Sequence, residues 1–184
     1  MKNYRWILLL FVFQFSFAQQ WLDQQCKVET QIYADDIEKT SERNRLVIII
    51  NQEAKLMVND EDFSLLKGKK FKDYLYAFIE NPDEAKQWAK TPKKAMISLT
   101  HYNQPDQFEV VQQQIREVYY FLWNNYAQSK YHEDYVNLNC KQRAKVQKQY
   151  PYNVFTPKKR DAKDDSTQPK FSGPPPFEGN VKDN

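Results

Sequence analysis

Apolar and polar positions alternate, cluster and recur along this chain in ways that outline its elements. Leu46-Val47-Ile48-Ile49-Ile50 is a β-branched run too short for a helix, and it suits a buried strand. Asn51 to Ala54 can turn the chain. Leu56 and Val58 then alternate with Met57 and Asn59, which predicts a second strand and a hairpin. Within Phe63 to Glu80, Phe71, Leu75, Phe78 and Ile79 fall on one helical face. Asn81-Pro82 ends that helix, because proline disfavours helical geometry in the residue before it, and Glu84 to Ala89 is expected to add one further helical turn. Ala95 to Leu99 is a third strand, introduced by Thr91-Pro92.

The longest helix is predicted over residues 105–130. Phe108, Val111, Ile115, Val118, Leu122 and Tyr126 recur there at steps of three or four, and Pro105-Asp106 suits its first turn. Asn137 or Asn139 caps a shorter helix reaching Gln149. Tyr150-Pro151 breaks it, and Asn153 to Phe155 adds an edge strand. These elements predict an α+β fold: a small sheet of three to five strands with two or three helices on one face. The folded domain spans residues 43–156. Before it, residues 19–42 read as a polar connector with a short helix or strand near Val28 to Tyr33. After it, residues 157–184 hold prolines, glycines and charges with almost nothing to bury, the signature of a disordered tail.

The N-terminus sets the expected compartment. Lys2 and Arg5 precede an apolar run from Trp6 to Phe17, and Ser16-Phe17-Ala18 supplies small residues for cleavage before Gln19. Residues 1–18 therefore read as a signal peptide and the chain as exported, to a periplasm or its equivalent. The run is about a dozen residues, whereas a membrane span needs roughly 20. An uncleaved inner-membrane anchor is the alternative. No Cys follows Ala18, so lipid anchoring has no support. An exported chain meets oxidising conditions, and Cys26 and Cys140 can then pair with each other, stay free, or bridge two chains.

Composition narrows the function class. Net charge is +3, from 27 basic and 24 acidic residues with the signs interspersed, which argues against a nucleic-acid partner. Twelve Tyr, twelve Phe and four Trp are a large aromatic load, of the kind that cores and protein interfaces use. His101 and His132 lack the spacing of a zinc set, and no nucleophile elbow, phosphate loop or C-x-x-C is present. Asp35/Asp36 and Asp60/Asp62 lie in polar, turn-like stretches and read as solvated charge. No catalytic, cofactor-binding or metal-ligating residue is assigned, and no enzyme is expected.

One feature of the long helix stands apart. Val118-Tyr119-Tyr120-Phe121-Leu122-Trp123 is apolar or aromatic at six consecutive positions, more than a stripe facing a sheet requires. Either a second layer of the same chain or another chain covers the excess. Tyr120, Phe121 and Trp123 are thereby candidate interface residues.

These segments also carry a family likeness. Asn44 to Asn51, followed by Lys55-Leu56-Met57-Val58, resembles the opening hairpin of the ExbD/TolR biopolymer-transport family in its Bacteroidetes form. Lys94-Ala95-Met96-Ile97-Ser98-Leu99 is similar to that branch's K-A-x-I-S-L strand. Val111-Gln112 with Ile115, Val118-Tyr119 and Leu122 resembles its central helix motif. Ala127 to Tyr131, and Tyr150-Pro151 with Val154, resemble its closing segment. The likeness covers roughly residues 43–156. It implies a periplasmic domain with helices packed on one side of a small sheet, which dimerises and works beside an ExbB/TolQ-type channel, passing proton-motive force to TonB- or TolA-like partners.

Two departures shape that expectation. The family carries an aspartate on a full transmembrane helix, whereas the apolar run here is short and has no acid. Proton coupling needs an ionisable group within the membrane, so an accessory binding or dimerising role is expected, with a membrane-anchored transport component that keeps its N-terminus, or a cell-wall or ligand-binding module, as the alternatives. Membrane contact would be indirect unless the leader is retained. Trp123 and Phe121 also stand where the family usually has an arginine and an acid, which makes this surface more apolar.

Overall fold

The computed structural model describes Cys26, residues 32–64 and residues 68–157. The expected signal peptide and disordered tail fall outside the described residues, apart from Pro157. The fold is α+β, with a five-stranded mixed sheet.

Strand β1 (Arg45–Ile50) lies at its centre. It pairs antiparallel with β2 (Leu56–Val58), Ile48 opposite Val58, and β2 pairs antiparallel with the short β3 (Glu61–Asp62). On its other side β1 runs parallel to β4 (Met96–His101), with Ile48 beside Leu99. Strand β5 (Val154–Phe155) joins β4 in parallel, giving the order β3-β2-β1-β4-β5.

Among the described residues four α-helices accompany the sheet: α1 (Ala34–Lys39), α2 (Lys69–Glu80), α3 (Pro105–Tyr131) and α4 (Cys140–Gln149). Alternation along β1 sends Leu46, Ile48 and Ile50 into the core and leaves Arg45, Val47 and Ile49 half-buried on the other face. The buried set forms one cluster with Phe71, Leu75, Phe78 and Ile79 of α2 and with Val111, Ile115, Val118 and Leu122 of α3. Burying each such side chain stabilises by about 1.5–3 kcal/mol, so the two stripes hold the helices to the sheet without help from polar contacts.

Three local departures from the pattern have physical causes. β3 exists because Asn59 and Asp60, at φ 47° and 69°, make a two-residue hairpin turn. The Asn59 side chain accepts the Val47 N–H at 2.9 Å and holds the turn against β1. The chain is therefore still extended at Asp62, and α2 starts only after Gly68, whose φ of 63° is open to glycine.

Glu84 to Ala89 is not a helical turn. Asn81 is buried at the end of α2, where its side chain donates to the Ala85 and Ala89 carbonyls and accepts from the Ala85 N–H at 2.7 Å. This side chain ties up backbone groups that a helix would use itself. In the connector the helix is α1, at Ala34–Lys39, where Asp36 accepts the Tyr33 N–H at 3.0 Å. Of the helix or strand expected near Val28 to Tyr33, residues 28–31 lie outside the described residues.

Among the described residues seven non-glycine positions have positive φ. They divide into two kinds that a single substitution separates. Ala54, at φ 59°, has no side-chain bond to justify its conformation, so Ala54→Gly is expected to raise stability by about 0.5–1 kcal/mol. Asn81, at φ 46°, is held by the three bonds just described, so Asn81→Gly is expected to lower stability by about 1–3 kcal/mol. Urea denaturation midpoints of the two variants check both signs.

Candidate protein-docking surface

Helices α2 and α3 lie side by side and run in the same direction. Lys72 pairs with Glu117 at 3.0 Å across the seam, and one turn further on the rings of Tyr76 and Phe121 meet edge to face at 6.0 Å. Steps of four residues on each helix carry the seam along the surface. One more turn along α2 is Glu80, whose Oε1 accepts the Tyr150 hydroxyl at 3.2 Å. Tyr126 packs edge to face on Tyr150 at 5.9 Å, and Lys130 donates to the Tyr126 hydroxyl at 3.0 Å. The outer seam is thus an ion pair, an exposed aromatic rung and a cluster of phenols around one carboxylate. Burial, reinforced by the Glu80 carboxylate, pushes the Tyr150 phenol well above its ordinary range. It stays neutral and acts as a donor.

The three candidate interface residues separate here. Phe121 is 53% exposed. Tyr120 is half-buried and turns towards Tyr135, edge to face at 6.3 Å. Trp123 does not belong to a docking surface, because it is fully buried. Its Nε1 donates to the Tyr150 carbonyl at 2.7 Å, and its ring packs on Tyr135 at 5.2 Å and Tyr119 at 6.1 Å.

The reason is a second layer. The turn Tyr135–Asn137, α4 and Tyr150 fold back over the helix, so Tyr119, Trp123 and Ala127 form a second inward stripe beside Val118 and Leu122. Six consecutive apolar residues serve two intramolecular contacts, and one ring is left over. Tyr76 is the surface residue that sequence reasoning missed. Its spacing from Lys72 was visible, but nothing in sequence placed it opposite Phe121.

The residues weighed for chemistry have local structural roles. Asp36 caps α1, and Asp62 accepts the Ser64 N–H at 2.8 Å. Asp60 makes the hairpin turn. His101 accepts the Gln104 N–H on Nδ1 at 3.1 Å and packs on Phe108, while His132 ends α3 at φ 58°. Among the described residues no group of three His, Cys, Asp or Glu is placed to hold a metal, and no helix is long and apolar enough to cross a membrane.

Set against family models, curated proteins and solved structures, the chain matches none.

Two further surface features bear on docking. A groove of about 460 Å³ runs between β2 and the start of α3, lined by Leu56, Val110 and Val111 with Lys55 and Asp106 at its rim. The edge strands β3 and β5 are two residues long each. Added strands would gain few main-chain bonds there, which is how short edges protect a sheet. Cys26 is bonded to Cys140, the first residue of α4, with Cα atoms 5.3 Å apart.

Proposed function

We propose that this chain is a non-enzymatic, exported envelope protein that works by docking a protein partner on the α2–α3 seam. On the ExbD/TolR likeness of its sequence, it is an accessory, partner-binding or self-associating domain of a TonB- or Tol-type transport system. Its partners on this reading are ExbB/TolQ-like or TonB/TolA-like envelope proteins, or a second copy of itself. Energy coupling then belongs to those partners.

The observation that carries the reading is Phe121, left 53% exposed beside Tyr76 while Val118, Tyr119, Leu122 and Trp123 of its run are buried and Tyr120 is half-buried. Aromatic side chains held by a neighbouring ring lose little freedom on binding, and they anchor interfaces for that reason. The mixed α+β sheet with α2 and α3 packed on it agrees with the architecture that the likeness implies.

Affinity capture from envelope extracts, with captured proteins identified by mass spectrometry, tests it. Wild-type chain is expected to retain envelope transport components or its own copies, and Phe121→Ser to lose them by at least about tenfold. The same partners and the same oligomeric state for both chains would remove the seam from the account.

A further inference from the structure

Among the described α-helices, α4 is the one that carries basic residues and no acid. Its ten residues include Lys141, Arg143, Lys145 and Lys148 and no Asp or Glu. Arg143 turns inward, donating to the Val136 carbonyl and lying over the Tyr135 ring, and Val146 is fully buried beside it. Lys141, Lys145 and Lys148, spaced four and three apart, are all exposed. None of the three has an ion-pair partner among the described residues, although carboxylates elsewhere in the domain take up Lys39, Lys55, Lys69 and Lys72. Helix α4 packs against the turn Pro92–Lys94, which brings exposed Lys93 and Lys94 to the same part of the surface.

The disulfide gives this basic face a direction. Cys26 is fixed to the first residue of α4. Nine residue steps separate Cys26 from Phe17, the last residue of the apolar N-terminal run, a reach of about 30 Å at full extension. The bridge therefore holds the chain's most lipophilic segment, while it remains attached, within that distance of the most cationic helix face. A helix with fixed cations at a bilayer bearing anionic phospholipids gains electrostatic attraction per lysine, and the gain fades with salt.

We propose that the exposed face of α4, with Lys93 and Lys94 beside it, docks on an anionic phospholipid surface and so turns the opposite parts of the domain away from the membrane. This is direct surface contact, beyond the indirect contact expected from the sequence, and it does not depend on the Phe121 reading.

Flotation of the full chain with phosphatidylcholine vesicles, with and without phosphatidylglycerol, decides the matter. Wild-type chain is expected to bind the phosphatidylglycerol vesicles more tightly, and to be released by high salt. Removing three lysine charges in Lys141→Gln/Lys145→Gln/Lys148→Gln should weaken that lipid-dependent part on the order of 100-fold. Phe121→Ser should bind as wild type does. The glutamine variant keeps residues 1–18 and any membrane affinity they have, so its loss is assignable to α4. Circular dichroism checks that it is folded, and if it is not, the single variants Lys141→Gln and Lys145→Gln replace it, each with about a fivefold loss.

Equal flotation with the two vesicle types would overturn the proposal. So would unchanged binding by the folded glutamine variants, or release of wild type by inorganic phosphate better than by chloride at equal ionic strength. The last result would indicate a free-anion site. Capture of an acidic protein through the same lysines, with no vesicle binding, would also overturn it.

Discussion

Trp123→Arg is expected to leave the protein unfolded at room temperature, while Phe121→Ser, two residues away, changes stability by less than about 1 kcal/mol. Trp123 is fully buried between Tyr119 and Tyr135. Truncating a buried tryptophan costs about 3–5 kcal/mol in lost contacts and residual cavity. Loss of the Nε1 donor also leaves the Tyr150 carbonyl without that partner, a further cost of about 1–3 kcal/mol. An arginine adds a charge that the second layer cannot solvate. Together these terms rival the whole stability of an ordinary domain, about 5–15 kcal/mol.

Phe121 has already half its surface in water, and among the described residues its ring meets that of Tyr76 alone. Far-ultraviolet circular dichroism and urea titration of the two variants read the contrast. A folded Trp123→Arg chain with a near-normal midpoint would mean that the second layer contributes little, and would reopen Trp123 as a surface residue.

The contrast also marks how far the sequence was legible. A continuous β-branched run too short for a helix placed β1, and alternation placed β2, where Leu56 and Val58 face the buried side and Met57 the other. The stripe Val111, Ile115, Val118, Leu122 placed α3 for the same reason at period 3.6. Legibility failed where a side chain does a backbone's work. Asn59 and Asn81 fix a turn and a loop through single side chains, and neither leaves a periodic trace. It failed again at Tyr119 and Trp123. A residue's facing on a helix is readable, but whether a distant segment such as Tyr135 or Tyr150 returns to cover that face is not. Phe121 and Trp123 look equivalent in sequence for that reason alone. The pairing of Cys26 with Cys140 was one of three open fates, since spacing says nothing about whether two Cα atoms come within 5.3 Å.

Cutting that bridge is the other large effect. In Cys26→Ser/Cys140→Ser, or after reduction, stability is expected to fall by about 4–5 kcal/mol. The two cysteines are 114 residues apart and bracket α1, β1 to β4, α2 and α3. Closing so long a loop removes chain entropy from the unfolded state, and the native contacts need not change for the gain to appear. The melting temperature should drop on the order of 15 °C for a domain of this size.

Helix α4 itself should survive the change. Its cap is Asn139, which accepts the Gln142 N–H at 3.1 Å, and its hold on the core is Val146; neither requires the sulfur. Native circular dichroism with a lowered midpoint is therefore the expected pair of readings. A melting temperature unchanged by reduction would mean that the unfolded chain is already held compact by other contacts. Loss of helical signal at low temperature would instead mean that the bridge acts on the native state, by holding α4 in place. Because the bridge adds its constraint to every unfolded conformation, its removal should lower protection of the slowest-exchanging amides in β1 and β4 as much as it lowers the midpoint. A bridge that merely pinned α4 would leave those amides unmoved.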